Sequence, residues 1–277
     1  MYIKNKISCV ILLTMLICYS HNTLFAREDL NDNSFDNNGS TEQTLDNTQT
    51  IVMKKSTHPY FKGLEAFENK DYKNALKYFE SAISTDDKNI DVYNYLGITY
   101  RNLGDYDKSI ETFKKSLQIE PDNPNTYQLL GVANLFKGDY IESLKAFQAF
   151  KKLTPNNPEV YFSLGNLYSI QKNYIKSNYN YLKALKLYKD EQNLLKSDVY
   201  LNIGTNYFRQ NNFDEAINSF NISIENNIEN EKAYYFLGLS YLYKSPSEKD
   251  KAKENIMKSL NSGYKVSEDI LKQIEDN

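Results

Sequence analysis

Apolar residues along most of the chain recur at the spacing of a helix face, and that face itself returns at a fixed interval. Tyr93, Leu96, Gly97 and Tyr100 stand at i, i+3, i+4 and i+7, positions that share one side of a helix. The same word recurs as Tyr161, Leu164, Gly165 and Tyr168, as Tyr200, Ile203, Gly204 and Tyr207, and as Tyr234, Leu237, Gly238 and Tyr241. A shorter version is Tyr127, Leu130 and Gly131. The glycines Gly63, Gly97, Gly131, Gly165, Gly204 and Gly238 are separated by 34, 34, 34, 39 and 34 residues. Beyond each of the first five, a polar turn residue meets an aromatic: Asp71-Tyr72, Asp105-Tyr106, Asp139-Tyr140, Asn173-Tyr174 and Asn212-Phe213. A small residue follows (Ala75, Ser109, Ser143, Ser177 or Ala216), and then a second aromatic (Phe79, Phe113, Phe147, Tyr181 or Phe220). Self-similarity at this period predicts a series of helix–turn–helix units.

The turns carry their own chemistry. A helical glycine costs about 1 kcal/mol against alanine, so its return on the repeat predicts a place where helices approach too closely for a side chain. Leu103-Gly104-Asp105 and Lys137-Gly138-Asp139 predict first helices that end on a left-handed residue. Pro121 and Pro155 close second helices, and Asn123-Pro124 and Asn157-Pro158 supply a cap and a first-turn proline for the next. Two units are irregular. Five extra residues fall within Tyr188–Lys196, expected to lengthen the second helix of the fourth unit. The sixth unit has Ser245-Pro246-Ser247 at its turn. Val266, Ile270 and Ile274 then recur among charges, predicting an amphipathic capping helix over Ser267–Glu275.

With these words in place, residues 56–262 resemble the tetratricopeptide repeat family, with Tyr where its consensus often has Trp. The resemblance implies an all-α, right-handed superhelical solenoid of about six hairpins, with units starting near 56, 90, 124, 158, 197 and 231, and a cap and tail over 263–277. It also implies that first helices line a concave groove that binds a protein or peptide. By repeat phase the candidates there are Tyr60, Asn94, Arg101, Gln128, Phe162, Asn166, Asn202, Arg209, Lys232 and Tyr235, a mixture of rings, amides and a few charges suited to an extended segment or an amphipathic helix. The competing reading is that some of these pack against neighbouring repeats. A sub-class of the family grips carboxylate termini through Lys, Asn, Asn, Lys and Arg. Only Asn166, Asn202 and Lys232 fall on those places here, with Phe162 and Phe236 on the outer two, so that signature is not intact.

Charge and candidate chemistry narrow the function further. The formal net charge is -3, without the basic excess that nucleic-acid binding requires. Cys9, Cys18 and His21 all lie in the N-terminal segment 1–26, and His58 stands alone beyond it. Nucleophilic Ser-His or Cys-His pairs and His/Cys metal sites therefore have no components, and the single, periodic glycines form no phosphate-cradling loop. Most carboxylates read as solvated outer faces, and no pair stands out as an acid/base couple. The expectation is a non-enzyme without cofactor: an exported adaptor for a protein or peptide, working in cell-envelope assembly or organisation. A self-associating spacer (a homo-oligomer) and a non-catalytic accessory subunit of an envelope enzyme are the alternatives.

Export is read from residues 1–26. Lys4 and Lys6 precede an apolar run from Ile7 to about Tyr19, and Leu24-Phe25-Ala26 ends the segment. This is the pattern of a secretory signal cut after Ala26, and it predicts a periplasmic or envelope-associated protein of exported bacterial type. An uncleaved segment would instead anchor the chain to the membrane. Ile17 before Cys18 is too bulky for a lipidation signal. Residues 27–55, rich in Asn, Asp, Ser and Thr, are expected to form a disordered polar linker.

Overall fold

In a computed structural model, the structure describes residues 58–275. The predicted signal and polar linker lie outside the described residues, as do the last two positions. Among the described residues there are thirteen α-helices, one short 3₁₀ turn and no strand. Their contacts group into two compact units that divide between Leu153 and Thr154.

The first unit comprises α1 (Pro59–Glu68), α2 (Tyr72–Thr85), α3 (Ile90–Asn102), α4 (Tyr106–Ile119), α5 (Pro124–Lys137) and α6 (Tyr140–Leu153). Successive helices pair as the hairpins α1–α2, α3–α4 and α5–α6, and each hairpin packs on the next. The second comprises α7 (Pro158–Ile170), α8 (Tyr174–Leu187), α9 (Asn193–Arg209), α10 (Phe213–Asn226), α11 (Glu231–Lys244), the 3₁₀ turn Pro246–Glu248, α12 (Lys249–Asn261) and α13 (Glu268–Glu275). Here the hairpins are α7–α8, α9–α10 and α11–α12, and α13 packs on α12 with Ile270 and Ile274 buried.

The close approach predicted at the ladder glycines is made by a ring. A Cβ on Gly97 would lie 2.5 Å from Phe113 Cε1 in α4, and one on Gly204 would lie 2.6 Å from Phe220 in α10. Phe79, Phe147 and Tyr181 sit against Gly63, Gly131 and Gly165 in the same way. These rings are fully buried, as are the small residues one turn earlier: Ala75, Ser109, Ser143, Ser177 and Ala216. A larger residue there would occupy the space into which the first helix settles. The irregular last hairpin replaces the ring with Ile256 and brings the α12 backbone itself close to Gly238.

Capping sets the boundaries. Asn123 and Asn157 accept the backbone N–H of Thr126 (3.0 Å) and Glu159 (2.9 Å), with Pro124 and Pro158 opening the helices. Asp105 and Asn173 accept from Lys108 and Lys176, each at 3.2 Å. Gly104 and Gly138 adopt φ +85° and +88°, while Lys70, Lys172 and Asn211 take φ 58–60° at the same repeat position. The tight turn therefore demands a left-handed residue even where no glycine is supplied.

The expectation for Tyr188–Lys196 is corrected. α8 stops at Leu187, and the extra residues form a loop plus an added turn at the start of α9, which has 17 residues against 13 in α7. The reason lies in Tyr188. Its side chain is buried and its hydroxyl donates to Glu159 Oε1 at 2.6 Å, which draws the chain back against α7 in place of another helical turn.

Two outcomes follow from this packing. Gly97→Ala gains helix propensity but overfills the Phe113 contact, and should lower unfolding stability by about 1–2 kcal/mol in urea titration. In the background Phe113→Leu the same change should cost less, giving a measurable coupling energy. Lys172→Gly should raise stability by up to about 1 kcal/mol, because it removes a left-handed side-chain penalty.

Candidate functional site

The predicted groove residues all lie on first helices, but they differ sharply in accessibility. In the first unit Asn94, Arg101 and Gln128 are buried. Asn94 Oδ1 accepts from the Thr126 hydroxyl (3.1 Å), joining α3 to α5. The Arg101 guanidinium sits 5.6 Å from the centre of the Phe136 ring and donates to Asn102 Oδ1. Tyr60 is half-buried among Phe79 and Tyr95, and its hydroxyl is pushed up to about 12 by burial, with Asp91 adding to the effect.

In the second unit Phe162, Asn166 and Asn202 are buried. Asn166 Oδ1 accepts from the Tyr181 hydroxyl at 2.5 Å and from Asn202 Nδ2 at 3.5 Å. Both amides of the would-be carboxylate grip are thus engaged inside the protein. Asn206, which repeat phase did not single out, binds two helices together. It accepts from Ser169 Oγ (2.6 Å) and donates to Ser177 Oγ (2.8 Å) and Asn178 Oδ1 (2.7 Å). Buried amides satisfied in this way fix how one hairpin registers on the next.

Arg209, Lys232 and Tyr235 are only partly covered. Arg209 Nη1 lies 3.5 Å from Ser169 Oγ, and burial holds its guanidinium below the usual arginine range, with Tyr174 opposing that shift. Tyr235 packs against Tyr264 with ring centres 4.8 Å apart. Burial, then Tyr264, pushes its hydroxyl up to about 12. The first-helix face of this unit therefore offers one guanidinium, one ammonium and one phenol in a partly dehydrated setting.

Two carboxylates belong to the same face and are exceptions to the solvated acids that make up most of the chain's carboxylates. Glu159 in α7 and Asp198 in α9 stand at the repeat position that Lys232 holds in α11, six residues before the ladder glycine. That shared phase was the available signal. Glu159 Oε2 is buried without a hydrogen bond, and burial, with Asp198 adding to it, raises its carboxyl. Burial pushes Asp198 up to about 6, with Lys232 pulling the other way and Glu231 adding. Charge here is held at a cost, and an incoming cation or donor would be strengthened by the partial dehydration. Among the described residues no group of three or more His, Cys, Asp or Glu is placed to hold a metal ion.

Sequence comparison agrees with this architecture. Residues 60–89, 90–123 and 201–244 match models described as tetratricopeptide repeat. Those three segments are tetratricopeptide repeats. No curated protein sequence matches it. Among solved structures it resembles the anaphase-promoting complex hetero-tetramer Cut9-Hcn1 (17% identity, TM-score 0.68, 83% of this chain and 46% of that one). It also resembles yeast Tom70 (21%, 0.62, 79% and 45%) and a thermophilic repeat protein of Thermus thermophilus (17%, 0.56, 66% and 97%). The chain spans less than half the length of the first two, and likeness at these identities concerns the fold.

The strained carboxyls give this repeat protein a pH signature. A carboxyl harder to ionise in the folded than in the unfolded chain binds more protons when folded. Stability should then fall as pH rises from about 4 to about 6, and level off above. Asp198→Asn should flatten that slope and raise stability at pH 7 by about 1–2 kcal/mol, read from urea midpoints at several pH values.

Proposed function

We propose that this repeat protein is a non-catalytic scaffold that binds an extended segment of a partner protein across the first helices α7, α9 and α11. The observation that carries the reading is the partly covered polar set Glu159, Asp198, Lys232, Arg209 and Tyr235, in which Glu159 Oε2 is buried without a hydrogen bond. Burying such charges opposes folding unless they serve a contact, and donors on the partner's backbone or side chains can pair with the partly covered Asp198 carboxylate. The buried candidates of the same unit, Phe162, Asn166 and Asn202, set the shape of the surface from beneath it. Oppositely charged groups side by side would fix the register of the bound segment more than its affinity.

The N-terminal pattern ending at Ala26 supports export and work at the cell envelope, where the scaffold would help assemble or organise a complex. N-terminal sequencing of the protein from its native source should then begin at Arg27. A chain still starting at Met1 would remove the cleaved-signal reading.

Binding is tested with a photo-crosslinking residue at Lys232 in living cells, followed by identification of the adduct. The partner segment, made as a peptide, should bind the purified protein, and Tyr235→Ala should weaken it at least tenfold, as expected for an aromatic anchor. A partner whose affinity ignores both Tyr235→Ala and Lys232→Glu would sink the proposal.

A further inference from the structure

A second surface lies on the outer side of the fourth hairpin. Ile175, Tyr179 and Leu182 follow one another at i, i+4 and i+7 along α8 and form one stripe. They are 84%, 58% and 51% exposed. Single exposed apolar residues are ordinary, but three large ones aligned on one helix are not accounted for by the repeat. At the matching places other second helices carry polar groups: Lys73, Lys77 and Glu80 in α2, Asp107, Glu111 and Lys114 in α4, and Asp214, Asn218 and Asn221 in α10. α6 keeps only Ile141, and α12 only Met257, among charged or amide neighbours.

The flanks of the stripe are equally distinctive. α8 contains Lys176, Lys183 and Lys186 and no acid, with Lys172 just before it. On other second helices several lysines are paired locally, as in Lys108–Asp105, Lys115–Glu111, Lys145–Glu142 and Lys258–Glu254. The α8 lysines take no part in a salt bridge among the described residues. Lys176 and Lys183 instead lie over tyrosine rings, Lys183 at 4.8 Å from the centre of the exposed Tyr179.

We propose that α8 is a docking face for an acidic amphipathic helix of a partner protein, separate from the first-helix site. Its apolar side chains cover Ile175, Tyr179 and Leu182, and its carboxylates pair with the lysines along one edge of that stripe. Charge decides among occupants. A second copy presenting its own α8 brings like charges together. A broad anionic bilayer would also meet α10, the next second helix, which carries Asp214, Glu215 and Glu225 and no base. A helix is narrow enough to use a single three-residue stripe.

The test places a photo-crosslinking residue at Tyr179 in the full chain, expressed in its native cells. The adduct should be one protein, joined through a segment that alternates acidic and apolar residues. A peptide of that segment should bind the purified protein at low salt. Affinity should drop at least tenfold in Ile175→Ser/Leu182→Ser and in Lys176→Glu/Lys186→Glu, and should fall as salt rises. These positions are exposed, so unchanged unfolding midpoints exclude misfolding as the cause. Adducts to a second copy, to lipid, to a segment without acids, or none at all would overturn the proposal. So would binding to phosphatidylglycerol vesicles that depends on Ile175. A Lys232 adduct obtained alongside any of these results leaves the first-helix reading standing, so the two proposals fail separately.

Discussion

The contact on which each hairpin depends is an aromatic ring seated on a glycine. Phe113 on Gly97, Phe147 on Gly131, Tyr181 on Gly165 and Phe220 on Gly204 close the space between paired helices to less than one extra carbon. The glycine alone would weaken its helix, and the ring alone would hold the helices apart. Together they allow dense packing, and the small residue one turn before the ring makes room for the approach. Once the hairpin is set, the next element follows from the turn chemistry, with a left-handed residue after the first helix of each of the first five hairpins and an Asn or Asp just before the second.

This division of labour explains where function has room. Core positions are consumed by the ring-and-glycine contact, and the amides at Asn94, Asn166 and Asn206 are consumed by contacts that register hairpin on hairpin, for Asn166 the bond from Asn202. What remains variable is the outer rim of the first helices and the outward face of the second. The second unit uses both. Its first helices gather charges that burial makes uncomfortable, and α8 exposes an apolar stripe bordered by lysines without carboxylate partners.

Much of this is legible in the chain because the repeat reports phase. The glycine spacing locates the hairpins, and the Asn-Pro pairs locate helix starts at Pro124 and Pro158. Phase alone does not say how deep a side chain lies. Asn166 and Tyr235 both belong to first helices, yet Asn166 is buried against Tyr181 while Tyr235 is only partly covered. Composition makes most carboxylates surface acids, and repeat phase marks Glu159 and Asp198 only as first-helix residues; their burial depends on Tyr188 and on the neighbouring hairpin. The misplacement of the five extra residues has the same origin. A single tertiary hydrogen bond, from Tyr188 to Glu159, decides which helix gains a turn, and no local pattern encodes it.

Within each unit every hairpin packs only on its immediate neighbours. Such a stack has the mechanics of a chain of links rather than of a block. Force applied to one end of a unit is borne by one junction at a time, and each 34-residue link that yields would release roughly 115 Å of extended chain. The same ring-and-glycine contact that makes each link dense would thus let the protein lengthen in equal steps while the links beyond stay folded.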